Sequence, residues 1–269
     1  MLSVFDSIIL GLVQGMTEFL PVSSSGHLVL ARDVLHISQS GSLAFDAILQ
    51  LATACAVVLY FRKDIYDLIL NLIQKNKDKE KTNLTIYLIV GTIPAILLGL
   101  LLQDYMETIF RSTSLVALTL VIGALIMLVA DKVLQKRIKN NSQGMNSISK
   151  TIGVGLFQCL ALVPGMSRSG MTISGGYILG LTKENAIRFS FLLSIPIIVG
   201  SGLVKLLDII KDPSLVQGDM TTLIVGALSA FIFGWIAIGF LLKFLKTNSF
   251  KAFVVYRIIL AILLLVFFI

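Results

Sequence analysis

The sequence predicts an all-α polytopic membrane protein built from two inverted repeats, each a re-entrant helix hairpin followed by three transmembrane helices. Composition is the first observation: 56% of the 269 residues are hydrophobic and 14% charged, where a soluble domain carries about 25% charged residues. The second is a set of six apolar runs, at 44–61, 84–102, 115–130, 189–207, 222–242 and 252–269. Each comes close to or meets the roughly 20 residues a helix needs to cross a hydrocarbon core of about 30 Å. The third is that two further apolar stretches, 1–31 and 152–181, are interrupted by polar residues, proline and glycine.

The N-terminal stretch does not read as a cleaved signal, because it lacks a basic start and Asp6, Gln14 and Glu18 break its apolar core. The net charge of +7 falls in loops between apolar runs, so retention of basic loops on the cytoplasmic side explains it and no nucleic-acid partner is expected. Cys55 and Cys159 lie in apolar surroundings and are expected to be buried small hydrophobes rather than a disulfide. Pro94 and Pro196 fall inside long runs, where neighbouring helices satisfy the freed carbonyls. Thr182-Lys-Glu-Asn reads as a helix start, and Lys75–Lys81 as a loop that meets anionic headgroups. Arg257 in the last run is expected to snorkel or to pair with Asp131, and Asp46 and Gln50 are candidates to line a cavity.

The halves match at an offset of 144 residues. Gly11-Leu-Val-Gln14 lies over Gly155-Leu-Phe-Gln158, Ser23-Ser-Ser-Gly26 over Ser167-Arg-Ser-Gly170, and Phe45 over Phe189, while Pro21 and Pro164 are one residue out of step. Repeat 1 is expected over 1–134 and repeat 2 over 150–269, within a single membrane domain. Charge decides whether the broken segments cross. If 1–31 and 152–181 are re-entrant, the 20 Lys and Arg other than Arg168 and Arg257 divide 16 to 4 between the two sides; if they cross, the division is 13 to 7. The re-entrant arrangement obeys the positive-inside rule better and gives each half three crossings, hence inverted halves with both termini outside the cytoplasm. Non-helical backbone at membrane depth must be enclosed by protein or line a cavity, so the two breaks are expected to meet in one polar chamber near the midplane.

The first break reads Gln14-Gly-Met-Thr-Glu18-Phe-Leu-Pro-Val-Ser-Ser-Ser-Gly-His27. Gln14 and Glu18, four apart, share a helix face until Pro21 ends the helix, and Ser23, Ser24 and Ser25 are suited to cap the next half-helix. The second reads Pro164-Gly-Met-Ser-Arg-Ser-Gly-Met-Thr172. The Arg168 fork suits bidentate contact with phosphate or a pairing with Glu18, and the helix start beside it offers backbone N–H groups to an anion. A carboxylate, a hydroxyl or imidazole nucleophile and a cationic clamp are the parts that phosphoryl transfer requires.

At these motifs the sequence resembles the undecaprenyl-diphosphate phosphatase family, also called the bacitracin-resistance protein family, over the whole chain in element order. The resemblance rests on Gln14-xxx-Glu18, Pro21-Val-Ser-Ser-Ser-Gly-His27 and Pro164-Gly-x-Ser-Arg-Ser-Gly-x-Thr172. It implies a hydrolase of the bacterial inner membrane that returns undecaprenyl diphosphate to the monophosphate carrier of cell-wall synthesis. It implies catalytic roles for Glu18, Ser24, His27 and Arg168, and substrate contacts from Gln14, Ser23, Ser25, Ser167, Ser169 and Thr172. It also implies a divalent cation, Mg²⁺ or Ca²⁺, with Glu18 as its ligand; Gln14 leaves Glu18 the only carboxylate of its pair. Ser24 attacking with His27 as base is the expected chemistry, and His27 attacking directly is the rival. The partners expected are the polyprenyl diphosphate and membrane lipids, with a homodimer open. The competing class is a polyprenyl-phosphate flippase or secondary transporter, since inverted repeats with midplane breaks also build transporters.

Overall fold

In a computed structural model of the chain, residues 2–37, 42–74, 78–102, 113–138, 147–212 and 219–268 are described. Arg111, Lys139 and the Lys75–Lys77 part of the basic loop lie outside the described residues. The described residues form eleven helices and no strand: α1 (Val4–Phe19), α2 (Ser24–Val34), α3 (Ser42–Tyr60), α4 (Arg62–Ile73), α5 (Lys79–Leu101), α6 (Thr113–Ile138), α7 (Ile148–Leu160), α8 (Arg168–Leu179), α9 (Lys183–Lys211), α10 (Met220–Thr247) and α11 (Lys251–Phe268). Among them α5, α6, α9 and α10 are long and apolar enough to cross a membrane, and α3 with α4 makes a fifth span if the pair is taken together. The chain is a multi-pass, all-α membrane protein.

Local chemistry sets the ends of these helices. A reciprocal Ser3–Asp6 capping box opens α1. Asp78, Ser147, Thr182 and Asp219 cap α5, α7, α9 and α10 through their side chains, so the helix start expected at Thr182 is present. Pro21 stops α1 by forcing Leu20 into extended backbone (φ −68°, ψ 146°), and Pro94 and Pro196 sit inside α5 and α9 as expected. The run expected at 44–61 ends instead in a 71° bend between α3 and α4. Phe61 lies at that bend, and α4 leaves at an angle with Tyr66, Ile69, Leu72 and Ile73 exposed. This exposed apolar face suits contact with lipid.

Both broken segments are hairpins that return to the end from which they started. The four half-helices have 16, 11, 13 and 12 residues, or about 24, 17, 20 and 18 Å at 1.5 Å per residue, each short of the roughly 30 Å core. Towards one end of the bundle, Leu2 before α1, Ile37 after α2 and Leu223 in the first turn of α10 share one apolar cluster with Phe45, and Arg32 in the last turn of α2 pairs with Asp46 in the second turn of α3. At the other end, Arg188 pairs with Asp64, Lys183 donates to Asn248 O, and Asp131 accepts from Phe250 N (2.7 Å). Residues expected on the basic side thus meet at a single end.

The hairpins dock crosswise. α1 packs on α10 and α7 on α5, each through the glycine of the repeated Gly-Leu-x-Gln motif. A Cβ on Gly11 would sit 2.3 Å from Gly226 O, and one on Gly155 would sit 2.5 Å from Gly91 O. Ser23 and Ser167, the matched residues before α2 and α8, share a left-handed backbone at φ 74° and 68°, a conformation that a non-glycine residue holds only where its surroundings enforce it.

Some expectations are corrected. Cys159 is buried, but Cys55 is exposed, because its face of α3 turns out of the bundle. Asp46 is held by Arg32 at the end of the bundle rather than lining the chamber. Arg257 neither snorkels nor pairs with Asp131: it is fully buried, and its guanidinium donates to backbone carbonyls. Asp131 instead caps the start of α11.

Candidate active site

The two breaks meet inside the bundle, as the repeat predicts. Ser23 does not cap α2 with its side chain; its Oγ accepts from Gly165 N in the other break (3.1 Å). The backbone of the second break is also tied to α6, where Thr119 Oγ1 donates to Pro164 O.

Glu18 is the hub. It is 8% exposed, and its two oxygens serve different partners. Oε1 takes Arg168 Nη2 at 2.9 Å; Oε2 accepts from Ser24 Oγ at 2.7 Å and from Gln14 Nε2 at 3.0 Å. The turn at Pro21 makes this possible, since Val22 N bonds to Leu20 O (2.8 Å) in a tight three-residue reversal. That reversal brings Ser24 back over the end of α1, six residues from Glu18. The one-turn spacing of Gln14 and Glu18 does the rest. A hydroxyl aimed at a carboxylate, with a guanidinium on the far oxygen, is the arrangement of a nucleophile beside its base.

His27 lies elsewhere than expected. Its Nδ1 contacts Ser23 O (2.7 Å) and its Nε2 contacts the Tyr256 hydroxyl (2.6 Å), with the two ring planes only 3° apart. A carbonyl can only accept, so Nδ1 carries a proton, and in the neutral imidazole Nε2 accepts from Tyr256. Ser24 is therefore paired with Glu18 and not with His27, which corrects the expected Ser24–His27 couple. Helix geometry is the cause: Ser24 opens α2 facing back towards α1, whereas the His27 ring runs out to α11.

The second break supplies hydroxyls and a helix start. Ser167 Oγ caps α8 by accepting from Gly170 N (3.3 Å) and contacts Ser169 Oγ (3.3 Å). Thr172 bonds Arg168 O (2.8 Å) and Ser190 Oγ. Ser167, Ser169 and Thr172 are buried, Arg168 and Ser24 partly so, and Ser25 is exposed with its Oγ 3.2 Å from that of Ser23. All ten predicted site residues thus lie on the two breaks. Tyr256 and Ser190 were missed; the one available signal was Tyr256 standing beside the single charge within the last apolar run.

The donor set does not fit a resident divalent cation. No cluster of three His, Cys, Asp or Glu exists among the described residues, and the Glu18 carboxylate is taken by Arg168, Ser24 and Gln14. Gln14 Oε1 is buried beside it with no hydrogen-bond partner among the described residues, but one such oxygen falls short of the six to eight that Ca²⁺ takes or the near-octahedral set of Mg²⁺.

The whole chain has well-defined relatives. The family model of the bacitracin resistance protein BacA matches residues 7–263. An undecaprenyl-diphosphatase of Geotalea daltonii is 41% identical, covering 99% of this chain and 98% of the relative. The one of Moorella thermoacetica is 42% identical over 99% and 98%, and that of Chlorobaculum tepidum 40% over 98% and 97%. Since the match reaches almost from end to end and includes both breaks, the chain belongs to the bacitracin resistance protein BacA family.

Proposed function

We propose that the chain is an undecaprenyl-diphosphatase, a membrane hydrolase that removes the terminal phosphate of a polyprenyl diphosphate and so regenerates the lipid monophosphate carrier. The observation that carries this reading is Glu18 bridging Ser24 and Arg168 where the two breaks meet. The diphosphate binds at the start of α8, to the Arg168 fork and to the hydroxyls and N–H groups of 167–172, with Gln14, Ser23 and Ser25 completing the chamber wall. Ser24 Oγ attacks the terminal phosphorus as Glu18 Oε2 takes its proton. The P–O bond to the lipid-bound phosphate breaks, and its electron pair leaves on the lipid monophosphate. Water then cleaves the phosphoserine, releasing inorganic phosphate and returning the proton to Ser24. His27, three residues after Ser24, is assigned to proton transfer, because a nitrogen that already holds the Tyr256 hydroxyl is a poor attacking group. A divalent cation is proposed to arrive on the diphosphate oxygens, not to reside on Glu18.

Farnesyl diphosphate labelled at its terminal phosphate tests this reading. Detergent-purified protein releases labelled phosphate, Ser24→Ala does not, and acid quench traps the label on Ser24. Label on His27, or parental turnover by Ser24→Ala, overturns the serine assignment. EDTA lowers turnover while calorimetry finds no uptake of Mg²⁺ or Ca²⁺ by the protein alone; uptake would return the metal to Glu18.

The matched glycine contacts and paired φ values support two duplicated, inverted halves over 1–134 and 150–269. The gathering of basic residues at one end supports the bacterial inner membrane with both termini outside. That architecture also suits a flippase, but Ser24 turned onto a carboxylate favours hydrolysis. A wild type that moves lipid and releases no phosphate reverses the choice.

A further inference from the structure

Among the described residues, Arg257 is the largest fully buried side chain. It lies one residue after Tyr256 in α11, whose only other charge is Lys251 at its first position. A guanidinium has five N–H donors, and here each meets a backbone carbonyl. Nε reaches Leu120 O (3.1 Å), Nη1 reaches Pro21 O (3.3 Å) and Met166 O (3.2 Å), and Nη2 reaches Thr119 O (3.4 Å) and Gly165 O (2.8 Å). Three of these carbonyls belong to the breaks, one to the first and two to the second. The other two belong to α6, the helix that also holds Pro164 through Thr119. With all five donors on carbonyls, Arg257 makes no ion pair among the described residues. Arg168, by contrast, is neutralised by Glu18. Room for the guanidinium comes from Gly123, where a Cβ would stand 2.1 Å from Nη2 and 3.1 Å from Met166 O.

We propose that Arg257 is the positioning residue of the chamber: it ties the backbones of both breaks to α6, fixing Ser24 and Glu18 on one break opposite Arg168 on the other, and it gives the chamber its unpaired positive charge. This rests on the hydrolase reading for its catalytic consequence, though not for the tie itself. A buried cation that desolvates without an ion-pair partner is costly, and free carbonyls of non-helical backbone at membrane depth are costly too. Each offsets the other only where the breaks meet. Tyr256 extends the same hold to His27, so two consecutive residues of α11 fasten reactive groups that α11 itself does not carry. The charge also favours a substrate bearing more negative charge than Arg168, shared with Glu18, can neutralise, which a diphosphate does.

Two readouts test this in a Cys55→Ser background: turnover of farnesyl diphosphate, and modification by N-ethylmaleimide of Cys159, buried one residue before the end of α7. Arg257→Gln is expected to lower kcat about 100-fold, the cost of a small misplacement of reacting groups. KM rises too, and Cys159 labels faster than in the parent. Arg257→Lys, with three donors and the charge, restores part of both. Gly123→Ala, which keeps the arginine but displaces it, follows Arg257→Gln, and together with Arg257→Lys it decides the matter should Arg257→Gln fail to fold. A folded Arg257→Gln or Gly123→Ala with parental kcat and parental Cys159 protection overturns the proposal. If the parent itself releases no phosphate, the hydrolase reading falls, and the Cys159 rates alone decide whether Arg257 fastens the breaks.

Discussion

One carboxylate with three donors sits where the two breaks meet, and its two oxygens face different partners. Oε2 faces the Ser24 hydroxyl, and Oε1 faces the Arg168 guanidinium. Glu18→Gln keeps the shape and removes the base. Phosphate release is expected to fall by about 10²–10⁴-fold, the usual worth of a general base, while gel filtration stays monodisperse; parental turnover would remove Glu18 from the mechanism. Arg168→Ala is harsher. It leaves Glu18 charged and buried, so a stability loss of about 3–5 kcal/mol accompanies the loss of turnover, whereas Arg168→Lys keeps the charge, loses the fork and raises KM. Thermal unfolding beside steady-state kinetics checks both, and equal behaviour of the Ala and Lys variants counts against a charge role. The polar kit itself was legible in the sequence, because intramembrane Glu, His and Arg stand out against apolar runs. Its pairing was not. Whether Ser24 turns to Glu18 or to His27 depends on the reversal at Val22, and Tyr256 reaches His27 from 229 residues away. The fate of Arg257 was equally hidden, since backbone carbonyls carry no sequence signature.

At the scale of helices, the repeated Gly-Leu-x-Gln motif is a docking device. Gly11 lets α1 approach α10, and Gly155 lets α7 approach α5, each against the carbonyl of another glycine. Gly11→Ala and Gly155→Ala must therefore push a half-helix away from its span, at a cost of about 1–3 kcal/mol for overpacking. This corresponds to roughly 2–12 °C in Tm for a chain of this size. Differential scanning fluorimetry in detergent reads it. The pair also probes the duplication: equivalent glycines give comparable shifts, while a large loss at one and none at the other argues that the motif match is coincidental. The motif is visible in the sequence at a fixed offset, and both of its glycines sit at close helix contacts. The 71° turn into α4 is not visible there. Arg62-Lys-Asp ends the apolar run, and a sequence reading takes charges after a span for loop, though the same residues begin a second helix whose exposed Tyr66 and Ile69 suit lipid.

Across the whole molecule, the architecture commits to a topology that differs from a simple bundle. A crossing segment has its ends on opposite sides of the membrane, whereas a re-entrant one has both on the same side. The first hairpin starts at Leu2 and ends at Ile37, both packed with Leu223 and Phe45 near the start of α10, and Arg32 pairs with Asp46, away from the basic cluster. The second starts at Ser147 and returns at Gly180, where Leu134, Arg137 and Lys183 surround the turn. In a Cys55→Ser, Cys159→Ser background, cysteines at Ser3 and Val34 are thus expected to react with an impermeant maleimide added to whole cells. Cysteines at Ser149 and Glu184 should react only after the membrane is opened. The direction of this expectation comes from charge: under the proposed orientation, the positive-inside rule assigns the end carrying Arg62, Lys132, Lys183 and Lys251 to the cytoplasm. The two halves of the expectation fail separately. Labelling of Ser149 and Glu184 from outside, with Ser3 and Val34 protected, inverts the molecule but keeps the hairpins. Labelling of Ser3 and Val34 from opposite sides turns the first hairpin into a crossing, and Glu18 and Ser24 then line a channel through the bilayer instead of a chamber closed on one side.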